Sequence, residues 1–170
     1  MALYNNKKEN EEVQETVVAA VQPETEVTSA PRGNEMEVAY ITKGTKITGD
    51  IISEGNVVMD GEIEGVINAD GSVIIHGATK GDIIADSVLT DNGKVNSNVT
   101  ARENIIVKAD SAVVGDIDCQ NITVYGTVKG NINATGTVFL KSTAVVTGKI
   151  EAAGIGMEVG ATVAVSVESK

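Results

Sequence analysis

The chain is predicted to be all-β, a parallel β-helix in which each short repeat winds once around a common axis. Three observations carry this. An aliphatic-x-Gly-x-aliphatic phrase recurs seven times: Ile47–Ile51, Ile63–Ile67, Thr79–Ile83, Val95–Val99, Val113–Ile117, Val128–Ile132 and Val146–Ile150. The central glycines, one of them replaced by Ser97, lie 16, 16, 16, 18, 15 and 18 residues apart, a period too short for anything but a solenoid of one supersecondary unit per repeat. Within each unit the apolar period is two rather than 3.6, so one set of side chains is buried and the other faces water.

Each repeat justifies its strands in the same order. The phrase itself alternates, and a second alternating run follows about six residues later: Val57-x-Met59, Val73-x-Ile75, Val88-x-Thr90, Ile105-x-Val107, Ile122-x-Val124, Val138-x-Leu140 and Ile155-x-Met157. Two residues after each phrase stands a small side chain, in the series Ser53, Ala69, Ala85, Ala101, Cys119, Ala134 and Ala152. Alternation turns this column inward, where a narrow corner of the coil selects for size. Fixing roughly 17 residues costs about 17–34 kcal/mol of backbone entropy, and a single turn's few aliphatics do not offset it. The stack is therefore the cooperative unit, with about seven turns expected.

Residues 1–37 have a different texture. They hold eight acidic and three basic residues, both prolines (Pro23 and Pro31) and no alternation, which reads as a disordered acidic arm. Val13, Val17 and Val21 fall at helical spacing, but an isolated helix of that length is marginal in water. The organisation expected is an arm over 1–37, a β-helix over 38–167 that acts as a polymerisation domain, and a short tail over 168–170.

The net charge of −11 gives no basic stripe to neutralise phosphates, so nucleic acid is not an expected partner. No apolar run approaches a membrane span, and the amino terminus lacks the apolar stretch of a signal peptide; a cytoplasmic protein is expected. One cysteine, Cys119, excludes an internal disulfide and fits a reducing compartment.

Candidate chemistry is sparse. His76, the single histidine, falls in an outward position before Gly77. The carboxylates Asp50, Asp82 and Asp116 recur in one outward column, as a solvated face would, and Cys119 sits among buried small residues. There is no phosphate-binding loop, dinucleotide fingerprint, nucleophile elbow or EF-type calcium loop. The expectation is a non-enzyme with no cofactor and no metal.

The ends are more informative. A β-helix leaves unpaired backbone donors and acceptors on its first and last turns. The last turn, Val159 to Val167, is expected to be an uncovered edge with Val163, Val165 and Val167 as one apolar row. The first turn places Val38, Tyr40 and Ile41 at the other end. Two apolar, self-complementary ends predict end-to-end polymerisation of the chain with itself.

From Ile41 to Gly77 the sequence ITKGTKITGDIISEGNVVMDGEIEGVINADGSVIIHG resembles the bactofilins, bacterial cytoskeletal proteins with a central β-helical domain between flexible tails. The likeness covers roughly Val38 to Val167 and loosens where Ser97 replaces glycine and where the spacing stretches to 18. It implies a right-handed, three-sided β-helix that forms non-polar filaments, head to head and tail to tail, without nucleotide. It also implies a scaffold at the cytoplasmic membrane surface for cell-wall enzymes, cell shape or motility. Some bactofilins carry an apolar, lysine-followed membrane motif at the extreme amino terminus, and Leu3, Tyr4, Lys7 and Lys8 match it loosely. About 1 kcal/mol per lysine at an anionic leaflet would act only through the avidity of a filament.

Two other classes fit less well. Hexapeptide-repeat acyltransferases also form three-sided β-helices, but they need an aliphatic every six residues and a catalytic histidine between subunits, whereas this chain has an average period of 16.5 rather than 18, one glycine column per turn and a lone histidine. A monomeric β-helical adaptor would use the acidic arm to bind its partner and the coil as a spacer. Filaments, trimers or monomers in negative-stain microscopy separate the three.

Overall fold

The computed structural model describes residues 37–169, which form about eight turns of parallel β-coil with no helix. Each of the first five turns contributes three short strands, one to each of three faces. The first face is an eight-stranded sheet whose members follow chain order: Val38–Ile41, Asn56–Met59, Ser72–Ile75, Ser87–Thr90, Asn104–Val107, Asn121–Val124, Thr137–Leu140 and Gly154–Met157. The second and third faces begin as separate pairs, Lys46–Thr48 with Ile51–Ser53 in the first turn. In the last three turns they merge into the continuous strands Thr127–Ala134, Val145–Ala152 and Thr162–Ser169.

Every pairing is parallel and in register, so identical positions of successive repeats stack. Ile51 pairs with Ile67, Ile67 with Ile83, Ile83 with Val99, Val99 with Ile117, Ile117 with Ile132 and Ile132 with Ile150. These columns, with those through Val57 and Ile63, make one continuous buried core of aliphatic side chains. The small column is inside as expected, with Ala69, Ala85, Ala101, Cys119, Ala134 and Ala152 all buried. Ser53, at its start, is only partly covered, and its hydroxyl lies 3.3 Å from the Gly55 carbonyl to which it donates.

The turn count exceeds the expected seven, for a local reason. Val163-Ala164-Val165-Ser166-Val167 pairs with Val146–Ile150 in register, so it is an eighth copy of the phrase in which Val165 stands opposite Gly148. With its glycine gone, the copy falls outside the sevenfold count of the phrase, although its alternating valines mark it as the last turn.

Why the phrase needs glycine is clear at Gly81. Its φ is +128°, and a Cβ there would sit 2.2 Å from the Gly65 carbonyl oxygen of the turn below. Both the left-handed backbone and the close approach exclude a side chain. Ser97 meets the same corner without adopting a positive φ; Asn92 is the one non-glycine residue among those described that does. The compromise leaves the Ser97 hydroxyl buried with no hydrogen-bond partner, a burden of about 1–3 kcal/mol.

Candidate functional site: the open ends of the coil

Among the described residues, the terminal strands pair on one side only. At the start, Val38–Ile41, Lys46–Thr48 and Ile51–Ser53 pair only with the turn above; at the other end, Gly154–Met157 and Thr162–Ser169 pair only with the turn below. The hydrophobic columns run out at the same places. Ile41, Ile47 and Ile51 pack on the core from the first turn but stay partly exposed, and so do Ile155, Ala161, Val163 and Val165 in the last. Val167 is 52% exposed and Val159, in the final bend, 99%. Among the described residues, each end is thus a cross-section of the core, bordered by strands that have a partner on one side only.

The six residues expected at the interface divide by register. Val163, Val165 and Val167 all lie on the last strand, the first two closing the core and the third at its open edge. On the first strand, Ala39 and Ile41 pair with the inward Val57 and Met59, so Ile41 belongs to the open cross-section. Val38 and Tyr40 pair instead with Asn56 and Val58 and stand on the outer flank of the same edge strand. Ile47, Ile51, Ile155 and Met157 share the ends and were not singled out. Their signal was available, since each is simply the first or last member of its column. Leu3, Tyr4, Lys7 and Lys8 lie outside the described residues, as does the arm up to residue 36.

Charge is held near these ends in pairs. Close to the start, Lys46 Nζ lies 3.1 Å from one Glu64 carboxylate oxygen and Lys80 Nζ donates to the other at 3.0 Å. Hydrogen bonds from Lys80 and Lys46 hold the Glu64 carboxyl below the usual carboxylate range. Close to the finish, Lys149 bridges Glu151 at 2.8 Å and Glu168 at 2.5 Å, and these two acceptors raise its ammonium. Exposed pairs of this kind add little stability.

The other candidate groups have structural partners. His76 is exposed, with Nδ1 2.6 Å from Asp60 Oδ1. The outward carboxylate column is a ladder that serves backbone: the Val66 N–H donates to Asp50 at 3.1 Å, and the Asn131 N–H to Asp116 at 3.1 Å. Asn98 continues it, donating from Nδ2 to Asp82 at 3.2 Å and accepting from the Asp116 N–H at 3.2 Å. No group of three or more His, Cys, Asp or Glu placed to hold a metal ion occurs among the described residues. They contain no helix long and apolar enough to cross a membrane.

Cys119 is a core atom rather than a nucleophile. Burial, and secondarily the charge of Asp118, pushes its thiol up to about 12. Below pH 9 the thiol is protonated in both folded and unfolded chains. Between pH 9 and 12 only the unfolded chain ionises, so this group lowers stability as pH rises through that window. Alkylation by iodoacetamide at pH 8 is expected to run at least about tenfold slower in the native protein than in urea, because the thiolate is the reactive form. Equal rates would show that the small column is open to solvent.

A family model described as bactofilin, polymer-forming cytoskeletal, matches residues 39–109 and 77–168, which together span the whole coil. The chain belongs to the bactofilin family. No curated protein and no solved structure matches it. The two stretches matched in this bactofilin overlap over residues 77–109, as a repetitive coil allows.

Proposed function

We propose that the chain is a cytoskeletal scaffold whose subunits join end to end, amino-terminal turn to amino-terminal turn and carboxyl-terminal turn to carboxyl-terminal turn, into non-polar filaments that need no nucleotide. The observation that carries this is the unfinished core at both ends, where apolar side chains and one-sided strands coincide. An isologous joint pairs each patch with itself, and two alternating isologous joints give an unbounded but non-polar polymer. The filament organises cell-wall, shape or motility machinery at the cytoplasmic membrane, with Leu3, Tyr4, Lys7 and Lys8 as the lipid contact multiplied along its length.

Sedimentation and negative-stain microscopy test the assembly. Filaments are expected in chelator and in the absence of ATP and GTP, and a strict requirement for a metal ion or nucleotide would overturn the reading. In the same preparation, Leu3→Asp combined with Lys7→Glu is expected to keep filaments but abolish flotation with anionic vesicles. Undiminished flotation would remove the lipid contact from the amino terminus.

A further inference from the structure

Two methionines lie among the described residues, in one column of the coil and in opposite settings. In-register pairing on the first face makes an inward line that starts at Ile41, passes through Met59, Ile75 and Val124, and runs by way of Leu140 to Met157. Met59 is fully buried, and its sulfur accepts from the Thr79 hydroxyl at 3.8 Å. Met157 holds the same place in the last turn, where no described strand lies above it, and is 59% exposed. Register assigns the side chain to the core; only the end of the stack leaves it in water. The opposite end of the column is Ile41, which carries no sulfur, so the two open cross-sections differ in chemistry. Cys119, the chain's single thiol, is 6% exposed and is not the sulfur that an oxidant meets first.

We propose that Met157 is an oxidation site through which hydroperoxides control the carboxyl-terminal joint; the proposal rests on the end-to-end reading above. The Met157 sulfur attacks one peroxide oxygen, and an S–O bond forms as the O–O bond breaks. The proton on the transferred oxygen passes to the other oxygen, which leaves as water or an alcohol. Sulfur loses two electrons and the peroxide gains them. The product sulfoxide is polar where the thioether was apolar. At a free end its oxygen stays in water. In an isologous joint two sulfoxides enter one apolar contact, each an acceptor stripped of its water. Assembly is weakened at this end alone, because the amino-terminal cross-section offers Ile41 instead. Protection runs the other way as well: a sulfur covered by the next subunit is out of reach of peroxide, so filaments resist an oxidant to which free ends respond.

Subunits kept below their assembly concentration are treated with hydrogen peroxide, freed of it with catalase and then concentrated. Peptide mass mapping is expected to find sulfoxide forming at Met157 at least about tenfold faster than at Met59, and at least about tenfold faster in subunits than in formed filaments. The oxidised chain is expected to keep its melting temperature within a few degrees, to need a concentration about tenfold or more higher before it pellets as filaments, and to scatter light as dimers. Methionine sulfoxide reductases are expected to restore the filaments. Met157→Leu keeps the side-chain volume without the sulfur and is expected to give filaments that assemble equally well after peroxide. That variant separates Met157 from Met1 and Met36, which lie outside the described residues. Three results overturn the proposal and leave the end-to-end reading standing: unimpaired assembly of the Met157 sulfoxide form, equal oxidation of Met157 in subunits and filaments, or the same loss of assembly in oxidised Met157→Leu. Absence of any filament in the untreated wild type overturns both.

Discussion

Val165→Arg is expected to convert filaments into discrete dimers without lowering the melting temperature by more than a few degrees. Val165 is half-buried on the last strand, opposite Gly148, where it closes the core on one side and faces the open end on the other. In a free end an arginine can extend its head into water while its stem covers the core. In an isologous joint two introduced guanidinium groups face one another and lose their water, a burden of about 3–5 kcal/mol that raises the concentration needed for assembly by about 10²–10⁴. Because only one of two alternating joints is destroyed, the residual species pairs through the amino-terminal turns. Light scattering distinguishes this from monomers, which a polar, head-to-tail filament would leave. Long filaments with native melting behaviour would place the joint elsewhere.

Ile117→Arg is expected to unfold the chain. The side chain is 1% exposed, midway along the coil, between Val99 and Ile132 in the third-face column. No carboxylate shares that column to pair with a guanidinium, and no route to water exists without opening the turn. A penalty above about 4 kcal/mol is comparable to the 5–15 kcal/mol that holds a typical domain. Since each turn is stabilised by the ones it touches, the damage is not confined to one repeat. Circular dichroism should show the β signal lost at 25 °C. A wild-type spectrum and melting curve would show that the column is not a core.

Strand position, inward residues and the small column were all legible from alternation alone, because parallel in-register stacking makes every repeat report the same geometry. Legibility failed where a repeat departs from its neighbours. The eighth copy of the phrase escaped the count because Val165 stands in the glycine place, although its apolar row was legible as the last turn. The split between Ile41, which closes the core, and Val38 and Tyr40, on the flank, depends on which residue of the first strand meets Met59, and an alternating run alone does not state that register. Ser97 was visible as an exception, but its orphaned hydroxyl was not, since hydrogen-bond satisfaction is a property of the assembled corner. The end residues Ile47, Ile51 and Ile155 were legible as the first or last members of their columns, but that they pack on the core and stay partly exposed is a property of the assembled stack.

The uniform parallel pairing also determines how the rod answers mechanical load. Backbone hydrogen bonds between turns point along the axis of the coil, so tension applied along that axis is carried by them in series, turn after turn. Meanwhile the covalent chain circles the axis and bears none of that load until a turn has opened. A subunit pulled beyond its limit therefore unwinds like a spring, paying out chain a turn at a time, where a helical bundle would slide or snap.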